Sequence, residues 1–170
     1  MENQFILVKA KENSRAIVNF NNQFVTEGYI GKNGVTYDKI EGDGKTPLGK
    51  FNIGISFGMH KNVDTNLKYV QINPNLYWVD DSNSKYYNRL VDITKIEKDW
   101  KSAEHLMDYP VEYEYALEIK TNPNNEKNKG SAIFLHCSNQ KPTAGCVAIN
   151  TYNMIELLKN IKENAIIYIE

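Results

Sequence analysis

Short apolar runs and two-residue alternation dominate the chain, and helical spacing emerges in only two places. Residues 4–10 and 15–20 are apolar runs, Asn21-Asn22 is a turn signal, and residues 23–30 read as the hairpin partner that follows it. Gly31 to Gly34 makes a second turn, so the chain opens as a β-meander. Residues 51–55, 69–72, 76–79, 113–120, 131–137 and 165–169 are further strand candidates, with Pro74 separating the third from the second. The first helical pattern is residues 94–107, where Ile96, Trp100, Ala103 and Leu106 form one apolar stripe and Thr94 with Glu97 fits a capping box. The second follows Asn150-Thr151, with Met154, Leu157, Leu158 and Ile161 on one face and Lys159 and Lys162 at its end.

Three irregular stretches invite a functional reading. Residues 41–51, EGDGKTPLGKF, end their glycine-rich part like a phosphate-binding loop. Lys39 stands where that motif needs its first glycine, and Pro47 blocks the helix that must follow the threonine, so the stretch reads as a tight loop entering a strand. Residues 78–88 interleave aromatic and polar groups, Trp78 and Tyr87 among them, which suits a sugar- or peptide-binding groove and equally suits a packed loop. Residues 121–129 are polar, the most mobile stretch on composition, and read as a surface loop or a lid.

A length of 170 residues fits one domain spanning 1–170, with enough chain to bury a core. The net charge of −1 gives no electrostatic argument for nucleic acid or an anionic membrane. No run approaches the roughly 18 apolar residues of a membrane-spanning helix. Met1 to Phe5 lacks a basic stretch followed by an apolar one, so no export signal is expected there.

The chemistry concentrates in residues 131–150, SAIFLHCSNQKPTAGCVAIN. Strand alternation places Ile133, Leu135 and Cys137 on one face and Phe134 and His136 on the other. Residues 139–142 form a loop, after which the chain returns Cys146 to the neighbourhood of His136. A free thiol is only a few per cent ionised near neutral pH, and a histidine partner raises that fraction. Gly145 permits close backbone approach, and the backbone at Gly145 and Cys146 can donate to a developing oxyanion. The plainer alternative is an inert buried cysteine beside a structural histidine. Cys137 is expected to be a buried thiol; a Cys137–Cys146 disulfide is the lesser reading. His136 and Cys137 point apart and no other paired-ligand spacing exists, so neither metal nor cofactor is expected. His105, near the end of the first helical pattern, reads as structural or as a minor groove residue.

Taken together, His136, the loop, Thr143-Ala144-Gly145-Cys146 and Val147 resemble the active-site signature of the L,D-transpeptidase catalytic domain, the YkuD-type family of peptidoglycan cross-linking enzymes. Thr46-Pro47-Leu48-Gly49-Lys50-Phe51 resembles a framework segment of the same family. The commonest form of the signature has a second histidine where Ala144 stands, an arginine where Ala148 stands, and a longer loop. These departures bear on how a stem peptide is held more than on thiol chemistry. The resemblance implies a mainly β protein, a mostly antiparallel β-sandwich with one or two helices. It implies Cys146 as nucleophile, His136 as base, Thr143 and Gly145 as support, and a groove that would take in Trp78, Tyr87, His105 and Ala144. The implied partner is a peptidoglycan stem peptide, handled by a monomer outside the cytoplasm. With no signal in this sequence, that location requires a mature segment or another export route. L,D-carboxypeptidase activity with the same thiol, another thiol hydrolase, or a wall-binding module with an inert Cys146 are the competing readings. Papain-like hydrolases order cysteine before histidine, the reverse of this chain.

Overall fold

The computed structural model describes residues 3–170; Met1 and Glu2, part of the stretch read for an export signal, lie outside the described residues. The strands are β1 (Phe5–Lys11), β2 (Arg15–Phe20), β3 (Phe24–Tyr29), β4 (Val35–Thr36), β5 (Thr46–Pro47), β6 (Gly49–Gly58) and β7 (Tyr69–Gln71). They continue with β8 (Leu76–Val79), β9 (Leu90–Asp92), β10 (Ala103–His105), β11 (Tyr115–Ile119), β12 (Phe134–Cys137), β13 (Val147–Ile149) and β14 (Ile166–Ile169). One α-helix, α1 (Thr151–Asn160), precedes β14.

The main sheet runs β11-β12-β13-β3-β2-β1-β14-β6-β7, and β6 also pairs with β11. That extra pairing joins the two ends, so eight strands close into a barrel with β7 appended. The expected antiparallel sandwich is thereby corrected to a closed, mixed barrel: β1 and β14 are parallel, as are β12 and β13, while most other pairs are antiparallel. Closure removes the exposed edges that an open sheet would carry.

The period-two patterns fill the barrel. Ile6 and Val8 from β1, Ala16, Val18 and Phe20 from β2, Leu135 and Cys137 from β12, and Val147 and Ile149 from β13 share one core. Helix α1 adds Met154, Leu157 and Leu158 to it. Each such side chain contributes about 1.5–3 kcal/mol when fully buried. Asn150 caps the helix by accepting from the Asn153 N–H at 2.9 Å.

A second layer, the three-stranded sheet β10-β8-β9, completes the fold. Its core joins Leu76, Trp78 and Leu106 to Phe57, Ala116, Phe134 and Cys146 from the barrel. All four residues of β12 are therefore buried, odd positions in the barrel core and even positions facing this second cluster. Phe134 stands at its centre, edge-on to Phe57 at 4.9 Å and to Trp78 at 4.8 Å between ring centroids. Phe134→Ala is expected to cost about 3–5 kcal/mol, read as a lowered urea midpoint with an unchanged slope.

The helix expected over residues 94–107 is not formed. Asp92 Oδ1 accepts from both the Thr94 N–H (2.9 Å) and hydroxyl (2.6 Å), a local turn in place of the capping box. Asp99 accepts from Ser84 and from the Lys85 N–H, and Ala103–His105 pairs with β8. The apolar stripe still packs without a helix: Ile96 and Trp100 from a loop and Ala103 from β10 cluster with Val79 and Val91. Tertiary partners outweigh a modest helical preference here. The loop at residues 121–129 is also tied down. Asn122 Nδ2 donates to the Glu126 and Gly130 carbonyls, and Asn88 Nδ2 donates to the Asn122 carbonyl and Asn125 Oδ1.

Candidate functional site

Two adjacent parallel strands bring His136 and Cys146 together. In the β12–β13 register Leu135 faces Val147, His136 faces Ala148 and Cys137 faces Ile149. Continuing the register by one residue sets Cys146 beside Phe134, on the face that also carries His136. The contacts agree: Cys146 Sγ accepts from the Phe134 N–H at 3.3 Å. Cys137 points the opposite way, into the barrel core, and both thiols are free.

The strand is shorter than residues 131–137 because Ala132 adopts φ +53°, a left-handed conformation uncommon for a residue with a Cβ. The Ala132 N–H is held by Asn88 Oδ1 at 3.0 Å, and its carbonyl accepts from the Cys146 thiol at 3.2 Å. A strained turn thus supplies the partner of the thiol proton.

On the other side, Thr143 ties the returning loop. Its hydroxyl donates to the Cys146 carbonyl at 2.6 Å and accepts from the Gly145 N–H at 3.0 Å. Gly145 has φ +148°, and a Cβ there would lie 2.9 Å from the Lys45 carbonyl oxygen. Thr143→Val is expected to lose about 1–2 kcal/mol of stability by thermal or urea unfolding, with Thr143→Ser recovering most of it.

His136 is fixed by one hydrogen bond. Its Nδ1 lies 2.8 Å from the Cys137 carbonyl oxygen, which can only accept, so Nδ1 carries the proton and Nε2 keeps its lone pair. The Tyr113 ring stands edge-on to the imidazole at 5.6 Å. Burial lowers the His136 pKa to about 4, against the opposing pull of the Cys137 carbonyl. Burial likewise pushes the Cys146 thiol up to about 12, helped by the nearby Glu104 charge and opposed by the Phe134 N–H and Lys39. The resting pair is therefore a neutral thiol and a neutral imidazole, in place of the enriched thiolate that a histidine neighbour alone suggests.

Cys146, Ala144 and Glu104 border two contiguous cavities. The first, about 190 Å³, is lined by His136, Thr143, Tyr109, Tyr113, Lys141 and Ala148. The second, about 230 Å³, lies toward Gly145, Gly42, Gly44, Lys39, Glu41 and Asp80. The sulfur thus sits where two arms of a cleft meet. Glu41, Gly42 and Gly44 wall the second arm, so this loop does more than enter β6. Thr46 anchors it through its hydroxyl, which accepts from the Gly31 N–H at 2.8 Å.

Of the residues singled out from sequence, His136, Thr143, Ala144, Gly145 and Cys146 converge here. Three others do not line the cleft, which corrects their assignment to the groove. Trp78 is 2% exposed in the core beneath Phe134, its indole N–H donating to Asn88 Oδ1 at 3.0 Å. Tyr87 is 3% exposed and donates to Glu41 Oε1 at 2.6 Å, supporting a cleft residue without reaching the cleft itself. His105 lies against Tyr77, with its ring nitrogens at Asp108 and the Pro74 carbonyl. Glu104, Tyr113 and Lys39 went unsignalled. Glu104 was hidden inside the misread helix, and Tyr113 and Lys39 reach the site only through tertiary packing. The Tyr113 hydroxyl donates to Glu104 Oε2 at 2.6 Å, and Lys39 Nζ is paired with Asp43 and donates to the Lys45 carbonyl at 2.7 Å.

Among solved structures, an L,D-transpeptidase from Mycobacterium smegmatis matches with TM-score 0.47 and 8% identity, over 99% of this chain and 58% of that one. L,D-transpeptidase 1 of Mycobacterium tuberculosis matches with TM-score 0.42 and 11% identity, over 98% and 62% respectively. The chain thus spans about three fifths of the length of these proteins. No curated protein matches the sequence. The family model of the L,D-transpeptidase catalytic domain, YkuD, matches residues 3–169, nearly the whole chain, and the chain belongs to that family.

Proposed function

We propose that this chain is a cysteine-dependent L,D-transpeptidase acting on tetrapeptide stems of peptidoglycan, with Cys146 as nucleophile and His136 as base. The observation that carries the reading is the shared face of β12 and β13. It sets a buried thiol and an imidazole with a free Nε2 lone pair in one cavity, within a chain of this family.

The sulfur attacks the carbonyl carbon that links the third, diamino residue of the stem to the terminal D-alanine. Because both groups rest neutral, the thiol proton leaves the Ala132 carbonyl for His136 Nε2 as the carbon–sulfur bond forms. The Gly145 N–H is committed to Thr143, which leaves the Cys146 N–H as the backbone donor for the oxyanion. The protonated imidazole then delivers its proton to the departing amine, and D-alanine leaves a thioester. An amine from a neighbouring stem resolves the thioester to a 3→3 cross-link, while water would give a tripeptide. Ala148 leaves room where a larger side chain would fill the His136 arm, and Lys141 is the ammonium group available there to a stem carboxylate. Substrate of this kind places the protein in the cell envelope. We read the chain as one catalytic unit that works as a monomer.

The experiment is product analysis after incubation with purified disaccharide-tetrapeptides. Dimers lacking one D-alanine establish the transpeptidase. Tripeptide monomers alone retain the thiol chemistry and rename the enzyme a carboxypeptidase. Unchanged substrate with folded protein contradicts the proposal.

A further inference from the structure

Strand β12 begins only at Phe134, and the backbone just before it is held by side chains. The Gly130 N–H donates to the Tyr87 hydroxyl at 3.1 Å, the Ser131 hydroxyl donates to Glu41 at 2.5 Å, and the Ala132 N–H donates to Asn88 Oδ1 at 3.0 Å. The last of these holds the backbone that meets the sulfur. Ala132 has φ +53°, a conformation that a Cβ disfavours, so it needs an external hold. Its carbonyl accepts from the Cys146 thiol at 3.2 Å, and two residues on the Phe134 N–H donates to the same sulfur at 3.3 Å. The turn therefore decides which way the Cys146 side chain points and what holds its proton.

Asn88 is suited to fix that turn. Its own φ of +58° is one that asparagine tolerates, and its backbone N–H donates to the Val79 carbonyl at 2.8 Å. Its Oδ1 accepts from the Ala132 N–H and from the Trp78 indole N–H, both at 3.0 Å. Its Nδ2 donates to the Asn122 carbonyl at 3.3 Å and to Asn125 Oδ1 at 3.0 Å. Both amide hydrogens and both oxygen lone pairs are used, so the amide has one orientation. Trp78 is itself fixed, 2% exposed and edge-on to Phe134, which gives the oxygen a rigid seat. Asn88 borders neither arm of the cleft; it lines a separate cavity of about 270 Å³ beside Trp78 and Glu118.

We propose that Asn88 is a positioning residue for Cys146, its amide holding Ala132 in the left-handed turn whose carbonyl aims the thiol, an inference that rests on the thiol acyl-transfer reading above.

Released from Asn88, Ala132 relaxes toward negative φ and its carbonyl swings off the sulfur. The thiol then loses an acceptor that favours its neutral form, so it ionises more readily. It also loses the direction from which it attacks, so productive encounters with the carbonyl carbon become rarer. The two consequences have opposite signs: alkylation of the sulfur speeds up while turnover slows. Substrate binding is spared, because Asn88 stands outside the cleft.

The test uses three variants beside wild type. Asn88→Gly removes the amide and keeps φ +58° accessible. Asn125→Gly, at φ +52°, removes one acceptor of Nδ2 and leaves the Ala132 contact in place. Ala132→Gly adopts the turn at no steric cost, so the double variant Asn88→Gly/Ala132→Gly is the rescue. D-alanine release from disaccharide-tetrapeptide gives kcat and KM. Iodoacetamide labelling of the folded proteins at pH 8, read by peptide mass, gives separate rates for Cys146 and for Cys137 in the barrel core. In Asn88→Gly, kcat is expected to fall about 10- to 100-fold with KM nearly unchanged. Cys146 labelling is expected to rise about tenfold while Cys137 stays protected. Asn125→Gly is expected to match wild type, and the double variant to recover most of kcat. Wild-type kcat in Asn88→Gly, no recovery in the double variant, or Cys137 labelled in step with Cys146 overturns the positioning role. No D-alanine release by the wild type overturns the transfer reading, and the labelling rates of the same variants then decide the positioning role by themselves.

Discussion

Cys146→Ala is expected to abolish the proposed D-alanine release and cross-linking, with a loss of about 10⁴-fold or more, because the proposed acyl intermediate forms on its sulfur. Alanine at this position removes one buried sulfur and keeps the backbone that carries the Cys146 N–H. The variant is expected to fold, with its unfolding midpoint within a few degrees of wild type. Cys137→Ala provides the internal contrast. Its thiol faces the barrel core beside Leu135 and Ile149, so the cost falls on packing while turnover stays near wild type. Turnover that survives Cys146→Ala would remove the thiol from the mechanism.

The second large effect belongs to His136→Ala. Loss of a positioned general base typically costs 10²–10⁴ in rate, and this site has a particular need of one. The thiol is held far above its ordinary pKa by burial, so it offers almost no thiolate unaided. A pH effect on stability accompanies the loss. The unfolded chain protonates this imidazole below about 6.5, the folded chain only below about 4. Its contribution is complete above pH 6.5 and disappears as pH falls toward 4, a difference of roughly 2–3 kcal/mol. Glu104 has the opposite sense: its carboxyl is held up at about 7, so its contribution falls as pH rises from about 4.5. Urea unfolding at pH 7.5 and pH 4.5 separates the two. Wild type should lose more stability than His136→Ala on acidification, and Glu104→Gln should gain relative to wild type at pH 7.5. Equal acid sensitivity in wild type and His136→Ala would contradict a buried neutral imidazole.

The local patterns carried into the structure where one chain segment determines its own conformation. Alternation in β1 and β2 matched their buried faces, and the cap and apolar stripe of α1 placed the helix; β11, expected to be half-buried, instead buries Ala116 and Leu117 on opposite faces. The opposite facing of His136 and Cys137 followed from strand geometry alone. Barrel closure was not legible, because it depends on β1 meeting β14 and β6 meeting β11, pairs far apart in the chain. The stripe at Ile96, Trp100, Ala103 and Leu106 misled because its residues are spread over a loop, strand β10 and a single 3-10 turn, packed by tertiary contacts. Aromatic side chains at Trp78 and Tyr87 looked like groove residues and serve instead as floor and brace. Glu104, Tyr113 and Lys39 come from three separated segments, and only the folded chain shows them around one sulfur.

The most direct test of the central claim is the mass of the trapped intermediate. Wild-type protein is mixed with disaccharide-tetrapeptide, quenched in acid within the first turnovers, and examined intact and after proteolysis. The expected result is an adduct equal to the donor minus D-alanine, located on the peptide that contains Cys146 and absent from Cys146→Ala. An adduct at another residue, or turnover without any adduct in a variant blocked in the second step, would contradict the account.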